Sequence, residues 1–223
     1  MKEIKDICFI LQSRVNSKRL PRKVIKPFAG TTLFDIAINK LVNSELIPNE
    51  NIYCSLYDDE LKDIAQKYPV NIFHRSEESV SESSEHRVVL EWGWKLSYKW
   101  FVILNPCSPL LSIETINSFV KHYLNSPHKS LFSVHKNKNF YWDSNQQMIT
   151  PYPGAVDTKL VEDTYSGAHV LYAGSNNDIA NNVYLGDFTP NNPELYIVNE
   201  EETLDIDVKW QFDRAELIYK NLK

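Results

Sequence analysis

Two short stretches of the chain carry side chains in patterns that could do chemistry. The first, "QSRVNSKRLPRK" over residues 12–23, places Arg14, Lys18, Arg19, Arg22 and Lys23 within ten positions. Arginine presents a fixed fork of donors and lysine a mobile point charge, and both suit phosphate oxygens. Ser13, Asn16 and Ser17 add neutral donors among them. The segment lacks GxxxxGK[ST] spacing, so it is no Walker-type loop. The second stretch, "TLDIDVKWQFDRAE", sets Asp205 and Asp207 two residues apart. On an extended backbone such side chains face the same side. A carboxylate pair suits Mg²⁺, which also keeps waters and takes phosphate oxygens. Each stretch has a plainer reading: a solvated basic loop, and an Asp207 that only caps the following helix. Together they are the parts of a nucleoside-triphosphate enzyme, in which a metal neutralises charge at the reacting phosphorus.

The rest of the chain narrows the choice. With 24 Lys and Arg against 29 Asp and Glu, the net charge is −5. That balance argues against a nucleic-acid partner, so the positive segment serves a local anion. No aromatic residues interleave with the basic ones, and no base-stacking platform is visible. No apolar run reaches the ~20 residues that span a bilayer, and "MKEIKDICFILQSR" does not read as a secretory leader. Cys8, Cys54 and Cys107 sit in or beside apolar runs without a CxxC pair, the pattern of buried thiols in a reducing cytoplasm. The six histidines show no metal-ligand spacing; His169 falls on a strand near the expected pocket and His86 at a helix start. Trp92, Trp94 and Trp100 read as packing residues.

Alternating elements must position these stretches. Apolar runs at 7–12, 51–56, 70–74, 100–105 and 130–135 read as strands, and "GAHVLYAG", "VYLGD" and "ELYIVN" as later ones. Helical spacing covers 31–44, with Thr32 as cap, and then 58–68, 83–98, 112–124 with Ser112 as cap, and 207–222. The last helix is expected to bury Trp210, Ala215, Leu217 and Ile218. Strand–helix alternation predicts one three-layer α/β domain over 1–223 with a mostly parallel, Rossmann-like sheet. The pattern breaks after residue 136, predicting a β-rich excursion near 137–165. Ligands of such sheets bind beyond the carboxyl ends of the strands, which puts residues 13–23, directly after the first strand, on the binding edge.

With those motifs in view, the chain resembles the acylneuraminate cytidylyltransferase family, which activates sialic acid and related sugar acids as CMP-sugars. "ILQSRVNSKRLPRKVIKPFAGTTL" is similar to that family's N-terminal signature, "LNPCSPLL" to its Q-P-T-S-P-L-R, and "TLDIDVKWQFDRAE" to its closing D-I-D segment. The resemblance implies that Arg14, Ser17, Lys18 and Lys23 line the nucleotide and its phosphates, and that Arg75 contacts the nucleotide. Gln12, Ser13 and Asn16 join that nucleotide-binding set, and the surroundings of Gln12 could read a pyrimidine. Asn105 holds the place of a glutamine that touches the sugar acid. Asp205 and Asp207 would bind Mg²⁺, with Lys18, Lys23 and Asp207 as the catalytic set. The implied reaction is transfer of CMP from CTP to an acidic sugar with release of pyrophosphate, by a cytoplasmic homodimer using the 137–165 excursion for dimer contacts.

This sequence departs from the pattern at named positions: Val15-Asn16 replaces Gly-Gly, Val24 an Asn, Leu111 the final Arg, and Glu82 an Asp. "KVIKPFAG" resembles the related polysaccharide-biosynthesis branch, and the departures point to an unusual acidic acceptor. Glu82 and Glu85 could meet an amine on it. Two other classes stay open at this point. Asp205-Ile206-Asp207 could be the DxD of a nucleotide-sugar-dependent glycosyltransferase, or the basic loop could serve a non-catalytic binding module.

Overall fold

The computed structural model describes residues 1–81, 85–150, 154 and 157–222. The first strand, β1 (Ile7–Gln12), explains the layers. Successive side chains on a strand point to opposite faces. Ile7, Phe9 and Leu11 enter one core, while Cys8 and Ile10 enter a second on the other side. An uninterrupted apolar run therefore demands cover on both faces, as in parallel sheets.

The short antiparallel pair β2 (Pro27–Phe28) and β3 (Thr31–Thr32) leads into α1 (Leu33–Val42). The Thr32 hydroxyl accepts the Asp35 N–H, and Leu33, Ile36, Ala37 and Leu41 are buried as their spacing predicts. β4 (Ile52–Leu56), α2 (Asp59–Ala65) and β5 (Asn71–His74) follow. Three one-turn helices come next, α3 (Glu77–Val80), α4 (His86–Val89) and α5 (Trp92–Lys95). The chain continues through β6 (Trp100–Leu104), α6 (Ile113–Asn125, capped by Ser112), β7 (Leu131–Asn137) and β8 (Thr164–Ser175). It closes with α7 (Asn176–Ala180), β9 (Glu194–Ile197) and α8 (Lys209–Asn221). The seven-stranded sheet has the order β5-β4-β1-β6-β8-β7-β9, parallel except where β8 runs against β6 and β7. Residues of α1, α6 and α8 pack in the first core, and Trp92 and Ile179 in the second.

The β7–β8 pairing contains a large bulge. Phe132 pairs with Tyr172 and Val134 with Gly167, so Ser133 alone faces residues 168–171. Such irregularities re-aim side chains near functional edges.

Several elements differ from expectation. The helix expected over 83–98 is broken: α4 ends at Val89, α5 starts at Trp92, and residues 83–84 lie outside the described ones. The fully buried Trp92 and the packing of Gly93 against Ile179 set a second axis there. "VYLGD" is irregular rather than a strand, because Asn182, Gly186 and Phe188 adopt positive φ. On α8 the buried residues are Phe212 and Ala215, whereas Trp210 and Leu217 are exposed. Phe212 docks edge-on to Phe28 at 5.2 Å, which rotates the helix away from the expected face. The excursion leaves where Asn137 pairs with Thr164 and carries an isolated bridge between Trp142 and Met148; residues 151–153 and 155–156 lie outside the described ones. Among the described residues, no helix is long and apolar enough to cross a membrane.

Candidate active site

The loop after β1 runs along the carboxyl ends of β1, β4 and β6, where it forms one wall of a cleft of about 780 Å³. Backbone ties shape it. The Ser13 N–H donates to the Ser55 carbonyl at 3.3 Å, and the Val15 N–H to Asp58 Oδ2 at 3.0 Å. Arg14, Ser17, Lys18, Arg19 and Lys23 line the cleft. Arg22 does not: its guanidinium forms a two-pronged surface pair with Glu60 at 2.6 and 3.1 Å. Asn16 is exposed and lies outside the lining.

The opposite wall comes from the far end of the chain. Lys23 Nζ donates to the Ile206 carbonyl at 2.5 Å and to Asp207 Oδ1 at 3.1 Å. Arg19 reaches the same Asp207 oxygen at 2.7 Å. Burial alone would lower the Lys23 pKa, but Cys107, which becomes a thiolate in the alkaline range where Lys23 titrates, and the Asp207 carboxylate outweigh it and raise the ammonium above its ordinary value. The Cys107 thiol is pushed up to about 11, first by burial, so it is neutral at pH 7. The plainer reading of Asp207 as a helix cap does not hold. The Gln211 side chain accepts the Asp207 and Val208 N–H groups at 2.7 and 3.0 Å, which leaves the Asp207 carboxylate to the cations.

Asp205 lines a second cavity of about 950 Å³, which shares Asp207 with the cleft. Burial first, then the charge of Asp207, raises its pKa, against the pull of Lys23, an Asn105 hydrogen bond and His169. Between the aspartates, Ile206 is fully buried and its N–H donates to the Cys107 carbonyl at 3.0 Å. Asn105 stands at the junction. Its amide donates to the His169 carbonyl at 2.8 Å, and its Oδ1 accepts the Cys107 N–H at 2.9 Å.

The other end of the cleft is a fixed polar floor. Trp92 Nε1 donates to Gln12 Oε1 at 2.8 Å, and Gln12 Nε2 donates to the Val89 carbonyl at 3.3 Å. Arg75, also buried, donates through Nε to Ser79 Oγ at 2.9 Å, and through its terminal nitrogen to the Ser79 carbonyl and, at 3.4 Å, to that of Val89. Burial, reinforced by Arg14, lowers the Arg75 pKa to about 10, still a full cation at pH 7. The buried Ser13 hydroxyl lines this end with no hydrogen-bond partner among the described residues.

A cleft with four cations at one end, fixed amide and guanidinium donors at the other and two carboxylates at its rim has the parts for handling a nucleoside triphosphate. A family model described as cytidylyltransferase matches residues 8–218. The chain belongs to the cytidylyltransferase family. It is 22% identical over 231 aligned positions to the pseudaminic acid cytidylyltransferase of Campylobacter jejuni subsp. jejuni serotype O:2, with 97% of each chain covered. Over 81 residues, 34% of each chain, it is 33% identical to the spore coat polysaccharide biosynthesis protein SpsF of Bacillus subtilis. Among solved structures, a CMP:2-keto-3-deoxy-manno-octonic acid synthetase complexed with CTP superposes with a TM-score of 0.72 and 12% identity, covering 98% of this chain and 100% of that one. The fold is thus the α/β nucleotidyltransferase fold.

In this cytidylyltransferase, Gln12, Ser13, Arg14, Ser17, Lys18, Lys23, Arg75, Asn105 and Asp207 come together in one cleft, Asp205 adjoins it, and Asn16 stays outside. Val24 lines the cleft, Leu111 is core, and Glu82 lies outside the described residues. Neither His86 nor the three tryptophans line it. Arg19 and Cys107 also line the cleft and were not among the expected residues. The first was visible as a member of the basic cluster; the second gave no signal beyond its place beside Asn105. As a nucleotidyltransferase the chain is an enzyme, which sets aside the glycosyltransferase and binding-module readings.

Proposed function

We propose that this cytidylyltransferase moves CMP from CTP to a carboxylate-bearing sugar of the nonulosonate or ulosonate type, releasing pyrophosphate. The observation that carries the reading is the Lys23–Asp207 contact, which joins the basic loop to the carboxylate pair at the mouth of a second, acceptor-sized cavity. The names of the relatives support the acid class of the acceptor. Arg14, Lys18, Arg19 and Lys23 hold the triphosphate, with Ser17 as a neutral donor. Gln12, Ser13 and Arg75 meet the base and ribose. Asn105 meets the acceptor. The anomeric oxygen attacks the α-phosphorus in line, the bond from that phosphorus to the β-phosphate bridging oxygen breaks, and the hydroxyl proton leaves to solvent. Lys18 and Lys23 stabilise the charge that grows on the departing pyrophosphate.

Asp205 and Asp207 fit Mg²⁺. Among the described residues no cluster of three or more His, Cys, Asp or Glu could hold a metal unaided. Two carboxylates completed by water and phosphate oxygens suffice for this ion, and the mutual repulsion felt at Asp205 is what a divalent cation relieves. When bound there, the ion supplies charge neutralisation at the α-phosphate. A cytoplasmic homodimer belongs to the same reading, with the exposed Trp142, Ile149 and Leu160 of the excursion as its contacts.

Calorimetry with CTP, ATP, GTP and UTP, with and without Mg²⁺, on wild type and Asp207→Ala tests the nucleotide half. Selective, Mg²⁺-dependent CTP binding that weakens in the variant is expected. Indifference to base and to Asp207 would overturn the assignment.

A further inference from the structure

Beyond Asp207 the cleft opens onto the 950 Å³ cavity, whose wall includes Asp205, Gly167 and His169. His169 reaches that wall with φ +56°, in the left-handed region where a Cβ is penalised and glycine is favoured. Strained residues of this kind persist where the surroundings over-determine them and cluster where a side chain is used. The surroundings here are backbone ties. Ser133 Oγ accepts the Val170 and Leu171 N–H groups at 3.3 and 3.0 Å, and Asn105 donates to the His169 carbonyl at 2.8 Å. A glycine would make the same bonds without strain, so they do not explain an imidazole.

The ring is provided for separately. Its Nδ1 lies 2.9 Å from the Tyr172 hydroxyl, and Phe132 meets it edge-on with centroids 5.6 Å apart. A Cβ on Gly167 would stand 3.0 Å from His169 Nε2, so the bare backbone at 167 keeps space for the ring. With Nδ1 engaged by Tyr172, Nε2 is, among the described residues, the ring atom left for a ligand. In a 2-keto sugar acid the carboxylate shares its carbon with the anomeric hydroxyl. Asn105 and His169 both adjoin Asp205, so a sugar acid whose reacting oxygen faces the Asp205–Asp207 pair has these two side chains beside it to meet its carboxylate.

We propose that His169 reads the acceptor: its Nε2 hydrogen-bonds the sugar carboxylate, and the bulge opposite Ser133 exists to aim it. This rests on the CMP transfer proposed above. The test measures pyrophosphate release with pseudaminic acid, 2-keto-3-deoxy-manno-octonic acid and N-acetylneuraminic acid, on wild type, His169→Asn and His169→Gly. Asn and Gly both tolerate left-handed backbone, which offsets the lost contacts to Tyr172 and Phe132, so both variants are expected to fold. Losing a hydrogen bond to a charged group should raise the acceptor KM about 10- to 100-fold, with the CTP KM within about twofold. The methyl ester of the best acid should be a poor acceptor for wild type, and the variants should discriminate against it less. An unchanged acceptor KM overturns the assignment of His169, as does an equal rise in both KM values, which would mark a structural role. Failure of every acid with wild type while CTP still binds overturns the acceptor class itself, and this assignment with it.

Discussion

Lys40 on α1 is buried, and its Nζ donates to the carbonyls of Ser108 and Pro109 at 3.0 and 2.7 Å. Those carbonyls belong to the loop that carries Asn105 and Cys107 into the cleft. Burial pushes the ammonium from its ordinary 10.5 down to about 7, only partly countered by Glu202. Between those two values the unfolded chain holds a proton at this position that the folded chain lacks, so stability rises with pH through that window. Below pH 7 both states are charged and the fold carries the whole cost, about 5 kcal/mol at about 1.4 kcal/mol per pKa unit. Above 10.5 the cost is gone. Integrated from pH 7 to pH 9, the gain is about 2 kcal/mol. Lys40→Met removes this titration and leaves every other group in place. In urea unfolding, the stability of wild type minus that of Lys40→Met should therefore rise by about 2 kcal/mol from pH 7 to pH 9. Parallel curves, with the difference unchanged, would refute a depressed Lys40 and make it an ordinary cation satisfied by two carbonyls.

Lys23→Met should leave the far-UV circular dichroism intact and lower kcat/KM for CTP by roughly 10²–10³, the scale of losing one pre-aimed transition-state charge; steady-state pyrophosphate release reads it, and a loss under tenfold would contradict its role. Gly93→Ala places a methyl group 2.8–2.9 Å from the Ile179 side chain. Overpacking of this kind costs about 1–3 kcal/mol, which a lower urea midpoint at unchanged slope would register.

The layered sheet was legible because its signals are local. Alternating faces along β1 and hydroxyl caps at Thr32 and Ser112 need only neighbouring residues, and the structure shows them where the spacing puts them. What was misread or went unseen depends on partners distant in sequence. The break before Trp92 answers to Ile179, the rotation of α8 to Phe28, and the left-handed backbone at His169 to a single serine on the neighbouring strand. The cleft was legible as residue types but not as pairings. Nothing in "SKRLPRK" tells that Arg19 and Lys23 turn toward Asp207 while Arg22 turns outward to Glu60.

The bond from Lys23 to the Ile206 carbonyl and Asp207 links positions 183 and 184 residues apart. Closing so long a loop costs entropy before the contact returns anything. The basic end of the cleft therefore exists only when both ends of the chain are in place, and a chain that has folded only its first half presents the basic loop without its counter-wall. Capture of a ligand between the two walls becomes a report on completed folding. Ligand bound across that seam stabilises the whole chain against unfolding, by RT ln(1 + [L]/Kd), instead of bracing one half of it.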